Sequence, residues 1–177
     1  MEDFLITFYY QFHKQQHYFL CHDILEEAWK GQPTFSKRDA IVSLILFTTA
    51  NYHYRRGNTK GALKSLKKAL EIIHHAKESQ RLHLNIDVYR QLIKSEIAAI
   101  KENRTFIPVK LPVDKTFNDQ IKHVYSDYRF TPFIVSEPYI VHHHLKRDRT
   151  SVIRERERAK SLRRNQLKAS NNTLKDQ

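Results

Sequence analysis

Two stretches of the 177-residue chain concentrate side chains able to hold protons, metals or anions. They are His22-Asp23-Ile24-Leu25-Glu26-Glu27-Ala28-Trp29 and Tyr52-His53-Tyr54-Arg55-Arg56-Gly57-Asn58-Thr59-Lys60-Gly61-Ala62. At helical pitch His22, Glu26 and Trp29 stack on one face, because residues three and four apart are neighbours. A histidine and a carboxylate at i, i+4 can share a metal ion or pass a proton. A metal needs further ligands, and Asp23 and His53 are the candidates, His53 reaching that face if the next helix returns antiparallel. The competing reading is a His–Glu pair buried and hydrogen-bonded across two helices to fix their register. The second reading is the expectation, since buried polar groups must be paired whether or not they do chemistry. No metal, cofactor or catalytic residue is assigned. Trp29 is expected in the core, and Cys21, on an apolar helix face, as a small buried hydrophobe. Gly57-Asn58 permits a sharp reversal because both residues tolerate positive φ. Gly61 and Ala62 would let the following helix approach closely.

Two further clusters lie near the C-terminus. His142-His143-His144 suggests a metal, but consecutive helical residues point about 100° apart, so the three do not converge on one ion. The segment from Val141 to Gln177 holds eleven Lys/Arg against four Asp/Glu, more than half of the net charge of +12. Its cations include Lys146, Arg147, Arg149, Arg154, Arg156, Arg158, Lys160, Arg163, Arg164 and Lys168. On a helix they lie on all sides, and Val152, Ile153, Ala159, Leu162 and Leu167 make only a ragged stripe. A membrane-lying helix needs a clean apolar face, so a phosphate backbone fits better. The plain alternative is a solvated helix that keeps the protein in solution.

The elements that must position these residues are helical. Phe4, Phe8 and Phe12 mark a first helix from Asp3 to about Lys14. A second runs from about Gln16 to Trp29 and stops at Gly31-Gln32-Pro33. Ser36 is the expected N-cap of a third, with Asp39 in its first turn. This helix, through Ile41, Leu44, Ile45, Phe47 and Tyr52, is apolar almost all round and therefore central. Asn58 or Thr59 caps a fourth helix carrying Ala62, Leu66, Ala69, Leu70 and Ile73. A fifth starts near Asn85 with the stripe Val88, Leu92, Ile93, Ile97 and Ile100. Thr105–Val113, with Pro108 and Pro112, is an extended connection. Phe117, Ile121, Val124, Tyr125 and Tyr128 give a short amphipathic helix, Phe130–Val135 an extended arm packed on the bundle, and Ser136-Glu137-Pro138 the start of a long basic helix reaching about Lys168.

The expected fold is all-α: a bundle domain over 1–103, an arm with a short helix over 104–136, and a basic C-terminal helix over 137–177. Three Gly and five Pro leave few tight turns, and no strand runs bounded by turn clusters occur. One cysteine excludes an internal disulfide. The acidic Met1-Glu2-Asp3 start is unlike a secretory leader, and the longest largely apolar run, Ala40–Ala50, is too short to span a bilayer. A cytoplasmic location with no membrane association is expected.

The paired motifs resemble the domain-of-unknown-function family numbered 309, a group of small all-helical bacterial, archaeal and plastid proteins. Its signature is a His-x-x-x-Glu-x-x-Trp helix followed by a helix ending in His-x-x-Arg-Gly-Asn-x-x-Gly-Ala. The likeness covers roughly Gln11 to Ile73, and the matching residues are His22, Glu26, Trp29, His53, Arg56, Gly57, Asn58, Gly61 and Ala62. Asp23 keeps an acid where the family tends to have Glu. The chain departs at Leu20 and Leu46, where the family often has Glu and Gln. The resemblance implies a helical domain and no assigned activity. A weaker likeness is to one tetratricopeptide hairpin, through Ala50, Gly57, Ala62, Ala69 and Leu70, with no second copy at the repeat's period. The functional expectation is a non-enzymatic binding or adaptor protein on RNA or a ribonucleoprotein, acting through the basic helix. RNA is preferred to duplex DNA because no helix-turn-helix reading element is visible. The alternatives are an enzyme using His22, Glu26 and His53, or a module that binds another protein or a second copy of itself.

Overall fold

Leu5, Phe8, Tyr9 and Phe12 recur at helical spacing, and in the computed structural model, which describes residues 1–141, all four are buried. They belong to α1 (Glu2–Tyr10) and to a π-helical turn over Gln11–Gln15. The continuous helix expected to Lys14 is thus modified. The chain widens at Gln11 and reverses at Gln16, whose φ is +52°, so α2 starts only at Tyr18 and ends at Lys30. His17 caps it, its Nδ1 accepting the Leu20 N–H at 3.2 Å.

α3 (Ala40–Arg55) starts later than expected, because Ser36 is not its cap. Residues 36–39 form a turn instead: the Asp39 N–H donates to the Ser36 carbonyl, and the Asp39 carboxylate takes the Ser36 N–H at 2.7 Å. Eleven of the sixteen α3 residues are buried, as its all-round apolarity requires. Leu44 and Phe47 are fully buried, and each such side chain contributes about 1.5–3 kcal/mol of transfer free energy. Ser43, one of three buried polar residues of α3 with Thr48 and Asn51, is spent internally: its hydroxyl donates to the Ala69 carbonyl at 2.8 Å and meets the Tyr89 hydroxyl at 3.2 Å, tying three helices together.

α4 (Thr59–His75) packs along α3 as a helical hairpin through Ala62, Leu66, Ala69, Ile72 and Ile73. A 3-10 turn at Ser79–Leu82 leads to α5 (Ile86–Lys101), capped by Asn85, whose Oδ1 takes the Val88 N–H at 3.1 Å. The buried face of α5 is Tyr89, Ile93, Glu96 and Ile100, rotated from the stripe expected on Val88, which is 46% exposed. Tyr89 sets the rotation by reaching Ser43 and packing edge-on against Phe47. The 104–113 segment is extended and adds Phe106 and Leu111 to the core before α6 (Lys115–Val124) buries Phe117 and Ile121.

Among the described residues there is no strand, only an isolated bridge between Leu84 and Val113. Residues 130–135 run without regular structure, as expected for the arm. A helical turn at 138–141 follows, its Val141 N–H bonded to the Glu137 carbonyl. The rest of the expected basic helix, with His142–His144 and every cation from Lys146 to Lys168, lies outside the described residues.

Candidate functional site

The α2 half of the motif brings three candidate ligands together. One ligand atom each from His22, Asp23 and Glu26 lies within 4.8 Å of the other two. His22 Nδ1 is 3.2 Å from Asp23 Oδ1, and Glu26 is ion-paired with Lys30 at 3.0 Å, one turn on. The three side chains are 30–38% exposed, which does not fit the expected buried pair locking two helices. The reason is their place on the rim of α2, whose buried face is Tyr18, Cys21, Leu25 and Ala28. Such a trio can offer one His nitrogen and two carboxylate oxygens to a divalent cation, with water completing the shell.

His53 stands outside that trio. Its Nδ1 accepts from Asn58 Nδ2 at 3.2 Å, which requires the neutral ring. Burial and then the Arg56 guanidinium hold its pKa below the usual imidazole value, in keeping with that bond.

The second half of the motif is the hinge of the α3–α4 hairpin, and each residue has a structural task. Gly57 takes φ +74°, its N–H bonds to the Tyr54 carbonyl, and the Asn58 N–H bonds to the His53 carbonyl. This is the paired-bond ending in which a left-handed glycine closes a helix. Asn58 itself has φ −82°, so only the glycine uses the left-handed region. Asn58 Oδ1 then caps α4 by accepting the Gly61 N–H at 3.0 Å. Gly61 makes room for that cap: a Cβ there would lie 2.7 Å from Asn58 Nδ2. The close approach expected of both small residues therefore belongs to Ala62 alone, which is fully buried. Arg56 lies over the Tyr52 ring and donates to its hydroxyl at 3.1 Å.

Trp29 is half-buried against the core and pins the α2–α3 link, its Nε1–H donating to Asp39 Oδ2 at 3.0 Å. Cys21 is fully buried, and burial pushes its thiol well above the ordinary pKa, so it is the inert hydrophobe expected. A depression of about 1790 Å³ opens over the same link and the end of α4, between Glu27, Gly31, Asp39, His75 and Arg81. None of His22, Asp23, Glu26 or His53 lines it.

Three buried polar groups, His13, Gln16 and Glu96, and the half-buried Arg55 were not singled out by the motif reading. His13 Nε2 accepts the Leu111 N–H at 2.9 Å, so Nδ1 carries the proton and donates to the Tyr128 hydroxyl at 2.6 Å. Burial, with Lys110 nearby, drops its pKa to about 3. The Gln16 side chain clasps the arm by donating to the Thr131 and Phe133 carbonyls and accepting the Val135 N–H. Arg55 spans the Tyr18 ring at 4.8 Å and donates to the Gln16 carbonyl at 2.8 Å and the Ile140 carbonyl at 3.4 Å. Glu96 is buried in the α5 face. His13, Gln16 and Arg55 tie distant elements together, which sequence spacing does not reveal.

A family model described as domain of unknown function (DUF309) matches residues 5–65, which contain both motif halves. The chain is 32% identical over 160 residues to "Uncharacterized protein YpuF" of Bacillus subtilis (strain 168), covering 86% of this chain and 91% of that protein. The chain belongs to the DUF309 family. No solved structure matches it.

Proposed function

We propose that the protein is a non-enzymatic binding or adaptor protein of the cytoplasm that associates with RNA or a ribonucleoprotein through the basic segment from Lys146 to Lys168. The observation carrying this reading is the charge distribution: eleven Lys/Arg against four Asp/Glu in the last 37 residues. Cations so dense repel one another, and a phosphate backbone relieves the repulsion while releasing its own counterions. Arginine, the commoner cation there, suits bidentate phosphate contact. The motif residues of the body support a binding role, because the hinge, the cap and the α2–α3 link absorb most of them. Among the described residues no helix is long and apolar enough to cross a membrane.

A second reading has one observation behind it. The convergence of His22, Asp23 and Glu26 is a ligand set for a divalent cation, and it would make the protein a metal-dependent enzyme. Co-purification of the intact protein from cells, with and without ribonuclease, tests the first reading. The RNA reading expects partners that disappear on ribonuclease treatment. Recovery of the same partners after digestion would replace it with a protein-interaction role.

A further inference from the structure

The described body has its own charge asymmetry. Residues 2–30, covering α1 and α2, carry five Asp/Glu against two Lys/Arg. Residues 59–101, covering α4 and α5, carry nine Lys/Arg against four Asp/Glu. One of those four acids, Glu96, is buried, and burial raises its carboxyl to about 7, so it offsets little of the surface charge. Three of the nine cations, with two histidines, line a groove of about 400 Å³ between the two helices. Lys67, His74 and His75 of α4 face Arg90 and Lys94 of α5 across it. Arg90 is held in place by the Ile73 carbonyl and by Asp87.

The stripe continues beyond the groove. Lys60, Lys64 and Lys67 follow at i, i+4 and i+7, one helical turn apart, which sets their Cβ atoms roughly 5–6 Å from one another. All three and Lys94 are exposed, and none is in an ion pair among the described residues. Glu71, the acid of the groove, is already bound to Lys68 at 2.7 Å. Leu70 is the one apolar lining residue. A surface of this kind lacks the aromatic anchors of a protein interface and the apolar face of a membrane-lying helix. Its only rings, His74 and His75, pack edge to face against each other at 4.8 Å, so the lysines define what the surface recognises, a row of phosphates.

We propose that the α4–α5 groove, with the Lys60–Lys64–Lys67 stripe, is a second RNA-backbone contact surface, separate from the basic C-terminal segment. The proposal rests on the RNA-binding reading above and adds where the folded body touches the strand. Its effect is a share of the salt dependence: each phosphate engaged on single-stranded RNA adds roughly 0.7 to the slope of log K against log salt.

The test uses the full chain and a fluorescein-labelled oligouridylate followed by fluorescence anisotropy across a salt series. The variant K60Q/K64Q/K67Q/K94Q keeps helix-forming side chains, and a far-UV circular dichroism melt checks that it is folded. If three phosphates are engaged, its slope is shallower by about 2 than the parent's. Glu71→Gln frees Lys68 and should tighten binding, and oligocytidylate should behave as oligouridylate does. An unchanged slope in the quadruple variant, with RNA still lost on neutralising the C-terminal arginines, overturns the groove and leaves the C-terminal reading standing. No salt-dependent RNA binding by the parent protein overturns both. Loss of binding to anionic lipid vesicles in the quadruple variant with RNA binding unchanged also overturns the proposal, and assigns the groove to membranes.

Discussion

Replacing Glu96 by Gln should remove a pH-dependent strain on the fold, and the structure sets its size. Glu96 is 8% exposed on the buried face of α5, near Tyr18 and Tyr54, and has no ion pair among the described residues. Burial moves its carboxyl from 4.5 to about 7. Between those values the folded protein keeps the proton that the unfolded chain releases. Stability from this group is therefore complete below pH 4.5 and falls as pH rises to about 7, above which the loss is constant. A shift of that size corresponds to about 3 kcal/mol. His13 titrates in the opposite sense, so wild-type stability alone mixes the two. The informative quantity is the wild-type minus Glu96→Gln difference in unfolding free energy, from urea titrations followed by circular dichroism. That difference should move by about 3 kcal/mol against the wild type between pH 4.5 and pH 8. A difference constant across that range would refute the buried, unpaired carboxylate.

Further outcomes follow from the same contacts. His13 has its pKa lowered from 6.5 to about 3, so its contribution is fully present above pH 6.5 and is lost as pH falls towards 3. His13→Ala strands the Leu111 N–H and the Tyr128 hydroxyl and should cost about 2–5 kcal/mol at neutral pH, measured by denaturant midpoint; a loss under 1 kcal/mol would show that the two groups re-pair. Asn58→Ala removes the α4 cap and should cost about 1 kcal/mol, and Gly61→Ala should destabilise by displacing that cap. Elemental analysis of untagged protein should find no stoichiometric metal. One zinc, manganese or iron per chain that vanishes in His22→Ala would move the enzyme reading ahead.

Much of the helical order was legible because period and caps act locally. Gly57-Asn58 announced a reversal, Asn58 was one of two candidate caps of α4, Asn85 marked the start of α5, and the all-round apolarity of Ala40–Ala50 announced the central helix. What escaped were contacts between residues far apart in sequence. The π turn at Gln11–Gln15 is stabilised by partners about a hundred residues away, Leu111 and Tyr128 through His13 and the arm through Gln16. Nothing near Gln11 foretells it. The α5 register could have been read correctly: Tyr89, Ile93, Glu96 and Ile100 also have helical spacing, but an acid in the row argues against burial unless Tyr18 and Tyr54 are known to face it. At the candidate site, the i, i+4 rule placed His22 and Glu26 correctly on one face. It did not say whether that face was core or rim, since both patterns have the same period. Gly61 was assigned to helix packing because a small residue at a helix start has two uses, and only the Asn58 side chain decides between them.

The central claim is that the basic C-terminal segment binds RNA, and the salt dependence of binding tests it most directly. Full-length protein and the variant R154Q/R156Q/R163Q/R164Q are titrated into labelled single-stranded RNA between about 50 and 200 mM salt. The parent should give a straight line of log K against log salt, with a slope of roughly −0.7 per phosphate engaged, and the variant a markedly shallower one with weaker retention at the higher salt. Unchanged RNA retention by the variant at near-physiological salt would contradict the assignment.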